Sequence, residues 1–181
     1  MPRQLLIAVC LLCALPAGAR ACWNDVAQRH GVPADLLYAV AKVESSLDPK
    51  AVNRSHFHRT RSIDIGLMQI NSRHLPKLAH QGITEARLFE PCTNLDVGAQ
   101  LLADLFARKG LSWDSVGAYN AACTELKGIA CTEARARYAW KVYRQLPGNK
   151  PAAHRAPASR RSEAPPVARP IIPLLAVRVA P

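Results

Sequence analysis

Apolar side chains recur along this chain at the three- and four-residue intervals typical of helices that pack on one face. The strongest stripe ends at Lys109, with Gly110 just beyond it, and predicts a long helix capped by Thr93 or Asn94. A second stripe begins at Pro33 and predicts a helix over residues 33–46. Shorter helices are predicted over residues 23–30, 66–80, 84–88, 113–120 and 133–146, the last two capped by Ser112 and Thr132. The pattern therefore predicts a mainly α domain.

Residues 50–65 interrupt the helical pattern. This stretch is rich in Arg, Ser and His and has no helical period, so we predict a loop with at most a small β-hairpin. His56 and His58 alternate within it, but no carboxylate or thiol stands at metal-ligand spacing, and we predict no metal site. Both histidines are interpreted as loop residues within reach of a substrate.

The two ends of the chain differ in composition from its middle. Residues 1–21 combine Arg3, an apolar run and small residues around Ala21, which is typical of a cleaved export signal. The apolar run is too short to span a bilayer with margin. Residues 147–181 are rich in Pro, Ala and Arg, a composition that predicts a disordered tail. Between these ends we predict one domain, over residues 22–146.

Four cysteines follow the predicted signal, at positions 22, 92, 123 and 131. In a small exported domain an even number indicates disulfides, and four cysteines allow three pairings. Cys123 and Cys131 bracket a short loop, which favours a bond between them and leaves Cys22 to pair with Cys92. A cysteine directly after the cleavage site is also typical of lipoproteins, in which it carries the lipid. However, Ala19 stands at the position where lipoprotein signals usually have Leu. We therefore predict an exported protein without a lipid anchor.

The formal net charge of +11 indicates an anionic partner. Much of the excess lies in the tail, where six basic residues accompany a single acidic residue, Glu163. No nucleic-acid-binding motif accompanies the charge, and an exported protein meets the anionic cell wall instead. We expect the charge to attract the protein to the wall. The tail is interpreted as a cationic arm or docking peptide, with an idle tail as the alternative.

Glu44 is the one residue whose chemistry can be argued from spacing alone. It shares a helix face with Leu37 and Ala41, which lie seven and three residues before it. Removal from water disfavours the charged form, so a carboxyl group on this face has a raised pKa and can act as a general acid near neutral pH. The same spacing also allows a solvated carboxylate at the helix end.

Three motifs occur in order: ESSLDPKAV from Glu44, GLMQIN from Gly66 and AYN from Ala118. Together they resemble those of the soluble lytic transglycosylases, which cleave peptidoglycan, and the resemblance covers about residues 22–146. Within that family the chain is similar to the small specialised enzymes of type III and type IV secretion and of pilus assembly. The resemblance implies a lysozyme-like helical fold, a periplasmic location, no cofactor, and Glu44 as the catalytic residue.

The motifs also supply the expected substrate contacts, which are Ser45, Asp64, Gln69, Asn71, Tyr119 and Asn120. Gln69 and Asn71 are expected to hydrogen-bond sugar substituents. Tyr119 is expected to orient Glu44 or to contact an acetamido group. The expected partners are glycan strands of peptidoglycan and, through the tail, secretion-system components, with no nucleic acid. We expect a monomer.

Asp64 leaves more than one reaction open. Residues 64–73, together with Asn53 and Arg54, also resemble animal-type lysozymes, in which the matching aspartate is the second catalytic carboxylate. The leading prediction is a lytic transglycosylase that cleaves the MurNAc–GlcNAc bond and leaves 1,6-anhydro ends, with Asp64 supporting the site. The alternatives are a lysozyme-type muramidase that uses Glu44 and Asp64, and a non-catalytic wall-binding assembly factor.

Overall fold

The structure, a computed structural model, describes residues 18–149. Its α-helices are α1 (Gly18–His30), α2 (Ala34–Ser45), α3 (Phe57–Thr60), α4 (Leu75–Ala79), α5 (Pro91–Lys109), α6 (Trp113–Asn120) and α7 (Gly128–Tyr143). Its strands are β1 (Val52–Asn53), β2 (Asp64–Ile65) and β3 (Ile70–Asn71), and two 3-10 helices span Ser72–His74 and Ala86–Phe89. The described part of the chain is mainly helical, as predicted. Most of the predicted signal and of the predicted tail lies outside the described residues.

The hydrophobic core is built around α5. This helix packs on α1 and α6, and α7 packs on α6 and α2, so the apolar stripes predicted from sequence meet in one interior. Its fully buried large side chains include Leu36, Leu37, Leu95, Leu102, Val116 and Val142. Burial of each contributes about 1.5–3 kcal/mol relative to exposure. The end of α2, which carries Glu44, is thereby fixed against α7.

The segment between α2 and α4 forms a small antiparallel sheet of three strands, whereas the sequence predicted a loop with no more than a two-stranded hairpin. Its strand order is β1-β2-β3, with Val52 opposite Ile65 and Asp64 opposite Asn71. The third strand arises because residues 66–71 do not form the predicted helix. Gly66 and Gln69 have φ angles of +75° and +49°, in the left-handed region, and such angles reverse the chain.

Three helices begin at positions that differ from the predictions, α7 also ends earlier than predicted, at Tyr143, and the helix predicted over residues 84–88 is the 3-10 helix Ala86–Phe89. Helix α1 begins at Gly18, inside the predicted signal. Helix α5 begins at Pro91, a residue suited to a first turn, so the predicted caps Thr93 and Asn94 lie inside the helix. Helix α7 begins at Gly128 rather than after Thr132. The ends predicted at Gly110 and at the Ser112 cap are confirmed, and the Ser112 side chain accepts from the Ser115 N–H.

Both predicted disulfides are present. Cys22–Cys92 joins α1 to α5 across 70 residues of sequence, and Cys123–Cys131 joins the loop after α6 to α7 across eight. Closing the longer loop stabilises the fold by roughly 4 kcal/mol in the chain-entropy description.

No helix among residues 18–149 is long and apolar enough to cross a membrane.

Candidate active site

The end of α2 places Glu44 at the surface of the core. The preceding turns bury Leu37, Val40 and Ala41, so Glu44 projects from an apolar helix face. The helix stops at Ser45 because Ser46 adopts a left-handed conformation, with φ of 57°. Its backbone N–H then donates to the Lys42 carbonyl, which satisfies one of the helix's last acceptors.

The turn over residues 66–69 forms a second wall of the site. Gly66 is required there for space as well as for its positive φ, because a Cβ atom would lie 2.5 Å from the Leu88 carbonyl oxygen. The Gln69 side chain closes the turn by donating to the Gly66 carbonyl at 2.8 Å. This geometry orients Gln69 and the following residues of β3 toward the cleft described below.

Three side chains from three helices hold this turn in place. The Ser45 hydroxyl donates to the Leu67 carbonyl at 2.8 Å, and the Tyr119 hydroxyl donates to the Met68 carbonyl at 2.9 Å. From α5, the fully buried Asn94 accepts from the Met68 N–H at 2.6 Å and donates to the Ile65 and Leu88 carbonyls. Buried polar groups that are fully paired in this way rigidify a structure. The turn therefore has a fixed position relative to Glu44.

Between α2, the sheet, α5 and α6 lies an open cleft of about 410 Å³. This volume is within the range of about 300–1,000 Å³ usual for small-molecule sites. Five of the six expected substrate contacts line it together with Glu44: Asp64, Gln69, Asn71, Tyr119 and Asn120. His56, His74 and Arg108 add basic groups to its walls, and Leu101 and Leu105 add apolar surface.

Glu44 has the most perturbed carboxyl group of the cleft. Partial burial raises its pKa from 4.5 to about 7, and the negative charge of Asp64 acts in the same direction. A hydrogen bond from Tyr138 and the positive charge of Lys141 lower it by less. Near neutral pH a large fraction of Glu44 is therefore protonated, as a general acid must be.

Tyr138 is the direct partner of Glu44. Its hydroxyl donates to Glu44 Oε1 at 2.5 Å, from a position on α7 that is 94 residues away in sequence. Burial and the neighbouring Glu44 charge raise the pKa of Tyr138 well above 10, so its hydroxyl remains a donor. In the sequence, Tyr138 belongs to none of the three motifs and is one of several aromatic residues in the last predicted helix. The one signal available was that a buried tyrosine hydroxyl needs a polar partner.

Asp64 has a different environment on the opposite wall. Its carboxylate accepts from Asn71 Nδ2 at 2.7 Å and from Asn53 Nδ2 at 3.4 Å, and His56 Nε2 lies 3.6 Å away. Asn71 also donates to the Ser62 hydroxyl, so the Asp64 cluster continues into the buried side of the sheet. These contacts hold the Asp64 carboxylate in a fixed position on its strand.

Two expected roles change with the structure. Ser45 does not line the cleft, because its hydroxyl is directed to the Leu67 carbonyl and positions the turn. Tyr119 lines the cleft, but its hydroxyl contacts the Met68 carbonyl, and the residue that orients Glu44 is Tyr138. Asn94, expected as a cap, supports the site through its contacts with the turn.

Glu44 also borders a second hollow, on the side of α7. This hollow has a volume of about 330 Å³ and is lined by Val43, Glu44, Asn120, Ala134, Arg137, Tyr138 and Lys141. Glu44 and Asn120 are common to the two hollows, so the carboxyl group lies between them. An elongated molecule can therefore extend to both sides of Glu44.

Among the described residues, no group of three or more His, Cys, Asp or Glu side chains is arranged to hold a metal ion.

Comparison with known proteins gives consistent matches. The family described as transglycosylase SLT domain matches residues 21–139. Invasion protein IagB of Salmonella typhimurium is 40% identical over 131 residues, covering 70% of this chain and 78% of that protein. Protein IpgF of Shigella flexneri is 36% identical over 137 residues, covering 75% of this chain and 86% of that protein. A putative peptidoglycan-binding-like protein of Escherichia coli K12 is 33% identical over 137 residues, covering 72% of this chain and 83% of that protein.

A solved structure shares the fold. The X-ray structure of an inactive mutant of lytic transglycosylase Slt from Pseudomonas aeruginosa matches with a TM-score of 0.55 and 20% identity. The match covers 72% of this chain and 23% of that one, so this chain corresponds to a small part of the larger protein. It confirms the predicted lysozyme-like helical fold.

Proposed function

The chain belongs to the transglycosylase SLT family of peptidoglycan lytic transglycosylases, and we propose that it cleaves the bond between N-acetylmuramic acid and N-acetylglucosamine, leaving 1,6-anhydro ends. The observation that carries this proposal is Glu44, whose pKa is raised to about 7 and which lies between two hollows into which an elongated molecule can extend. A partly buried carboxyl group of this kind has the protonation state that the first chemical step requires.

In the first step, Glu44 donates its proton to the glycosidic oxygen. The bond from that oxygen to C1 of the muramic acid breaks, and positive charge develops on the ring. The substrate's own acetamido group or nearby oxygen dipoles stabilise this charge. Tyr138 then donates to the carboxylate that forms, which stabilises Glu44 in its ionised state without taking a proton.

In the second step, Glu44 acts as the base. It removes the proton from the C6 hydroxyl of the same sugar, and the C6 oxygen bonds to C1 to close the anhydro ring. Glu44 regains the proton that it lost, so no water is consumed and no external acid or base is needed. The same pKa of about 7 suits both directions of proton transfer near neutral pH.

The other cleft residues bind and position the glycan. Gln69, Asn71, Tyr119 and Asn120 line the cleft and present amide and aromatic groups suited to sugar hydroxyl and acetamido substituents. We assign Asp64 a supporting role, because its carboxylate is already held by Asn71 and Asn53. It contributes negative charge near the developing cation and does not form a covalent bond.

We place this reaction in the periplasm, at a secretion or pilus apparatus that needs a local opening in the wall. The predicted export signal and the two disulfides support an oxidising compartment. The similarity to a Salmonella protein named for invasion supports a specialised role. The basic tail contributes salt-sensitive attraction to the anionic wall or contacts a secretion component.

A muramidase remains the second candidate, because Asp64 lines the same cleft as Glu44. A non-catalytic assembly role is disfavoured, since the family is one of enzymes and Glu44 keeps its perturbed pKa.

The reaction products separate the two enzymatic candidates. We expect a mass spectrum of digested peptidoglycan to show muropeptides with 1,6-anhydro-muramic acid ends, which are lighter by one water molecule than reducing ends. Incubation in ¹⁸O-labelled water provides the control, because a transglycosylase incorporates no label at C1. Reducing ends that carry the label would instead establish hydrolysis.

A further inference from the structure

An apolar groove lies between α6 and α7, apart from the active cleft. It has a volume of about 180 Å³ and is lined by Trp113, Asp114, Thr132, Ala136, Ala139, Trp140 and Tyr143. Its walls are aromatic: the Trp140 and Tyr143 rings stack with centroids 5.2 Å apart, and Trp113 meets Tyr143 edge-on at 5.4 Å. Small alanines form its floor. We call this the aromatic groove.

The aromatic groove is unusual for the surface of a small domain. Trp140 is 43% exposed, although a ring of this size is normally a large contributor to a core or an interface. Asp114 is the one charged residue that lines it, with a half-exposed carboxylate that also pairs with Arg135 at 2.9 Å. Aromatic side chains beside an acidic group are the features with which proteins bind proline-rich segments that carry an arginine.

Different faces of α7 serve the groove and the active site. Tyr138 and Lys141 face the hollow beside Glu44, whereas Ala136, Trp140 and Tyr143 face the groove. Within residues 18–149, none lines both of these sites. An occupant of the groove would therefore leave Glu44 accessible.

The chain leaves the described domain beside this groove. After α7 it turns at Gly148, which has a φ of +86°. Asn149 then returns to the helix end, where its Nδ2 donates to the carbonyl of Tyr143 at 3.3 Å. Residues 150–181 continue from this point, so the following segment starts next to a groove residue.

We propose that the aromatic groove is the docking site for Arg169-Pro170-Ile171-Ile172-Pro173 of the same chain. This segment carries prolines three residues apart, preceded by an arginine. In a polyproline II helix, which has three residues per turn, Pro170 and Pro173 lie on one edge. The prolines fill the spaces between the aromatic rings, and Arg169 approaches the Asp114 carboxylate.

The length of the connection fits this arrangement. Between Asn149 and Arg169 lie 19 residues. The random-coil relation gives an average end-to-end distance of roughly 25 Å for 19 residues, which is ample for a return to the same helix. Attachment raises the effective concentration of the segment to about the millimolar range, so even a weak site is substantially filled. The basic residues at 150, 155, 160 and 161 would then be held as a loop beside the domain.

The indole N–H resonances of the three tryptophans test the proposal in the purified protein with its whole tail. Exchanging both prolines, Pro170→Ala with Pro173→Ala, should shift the Trp113 and Trp140 signals. Trp23 packs on Tyr38, outside the groove, and its signal should not move. The matched control, Pro151→Ala with Pro157→Ala, removes two prolines from the same tail and should leave all three signals unchanged.

A synthetic peptide of residues 167–175 completes the test. Added to the Pro170/Pro173 variant, it should return the Trp113 and Trp140 signals to their wild-type positions. In the wild type the attached segment competes, so a fluorescently labelled copy of the peptide, followed by its anisotropy, should bind with a midpoint about tenfold higher than to the variant, for a peptide with a Kd of about 0.1 mM. Signals that do not respond to the proline exchange would overturn the proposal. A response that disappears on dilution of the wild type would also overturn it, in favour of docking between two copies.

Discussion

The two carboxyl groups of the cleft differ in almost every physical respect. Glu44 projects from an apolar helix end and has one strong partner, the Tyr138 hydroxyl. Asp64 lies on a strand, where two asparagine amides donate to its carboxylate and a nitrogen of the His56 ring lies 3.6 Å away. Burial raises the pKa of Glu44 to about 7, whereas hydrogen bonds from Asn71 and Asn53 fix the position of the Asp64 carboxylate.

This difference assigns distinct roles to two similar groups. A proton donor must be able to hold its proton near neutral pH, and only the environment of Glu44 favours that. Asp64 remains negative, and its charge adds to the rise in the Glu44 pKa. The pair is therefore electrostatically coupled, and four predictions based on three substitutions test how far the roles are separate.

The largest effect is expected from Glu44→Gln. The amide keeps the size of the side chain but cannot supply the proton, so the rate of muropeptide release from sacculi should fall by at least about 10³-fold. The exposed Glu125→Gln, in the loop closed by Cys123–Cys131, is the matched control and should retain full activity. A folded Glu44→Gln protein with an undiminished rate would remove Glu44 from the mechanism.

The sequence could place Glu44 on an apolar helix face because that depends on local periodicity, although the same spacing also allowed a solvated carboxylate. Leu37, Ala41 and Glu44 share a helix face whatever the rest of the fold does. Tyr138 could not be predicted as its partner, because that contact depends on how α7 packs against α2, 94 residues away. The same limit applies to most of the cleft, whose walls come from four separate parts of the chain.

Asn94 illustrates the opposite error. Asparagine near a helix start is usually a cap, and local propensity predicted one. In the fold, Pro91 begins the helix and Asn94 is fully buried, where its amide satisfies three backbone groups of neighbouring segments. Tertiary hydrogen bonding also overrides the helical pattern of residues 66–71, since the Met68 N–H bonds to Asn94 rather than to an earlier carbonyl.

The second prediction concerns stability. The folded pKa of Glu44, about 7, exceeds its ordinary value of 4.5, so ionisation of this group opposes folding. The cost is absent below pH 4.5, grows between pH 4.5 and 7, and is complete above that. Glu44→Gln should therefore raise the free energy of unfolding at pH 8 by about 1–3 kcal/mol, measured by urea denaturation.

The same measurement at low pH is the control. At pH 4 the carboxyl group is protonated in both states, and the two proteins should be equally stable within about 0.5 kcal/mol. An equal difference at both pH values would show that the gain comes from packing rather than from the charge. That outcome would contradict the buried environment assigned to Glu44.

Asp64→Asn should have a smaller effect on rate, about tenfold, because the site loses a stabilising charge but keeps its proton donor. Loss of the negative charge should also lower the pKa of Glu44, so activity should decline at a lower pH than in the wild type. Asp35→Asn, at the exposed start of α2, is the control. Loss as complete as in Glu44→Gln, together with reducing-end products from the wild type, would establish the muramidase mechanism.

The smallest effect on the rate is expected from Tyr138→Phe. This substitution removes the hydroxyl that donates to Glu44. The hydrogen bond from Tyr138 lowers the pKa of Glu44, so its removal should raise that pKa further. A higher pKa keeps the acid protonated to higher pH, and the alkaline limb of the pH–rate profile should move up by less than about one unit. The maximal rate should fall several-fold as the carboxyl group loses its fixed orientation.

Tyr143→Phe is the matched control for this substitution. Tyr143 lies on the same helix, but it lines the aromatic groove rather than the hollow beside Glu44. Its pH–rate profile should superimpose on that of the wild type. If Tyr138→Phe instead moved the alkaline limb down, the hydroxyl would have to stabilise the protonated carboxyl group more than the carboxylate. Glu44 would then owe its raised pKa partly to Tyr138, and burial alone would no longer explain how the two carboxyl groups differ.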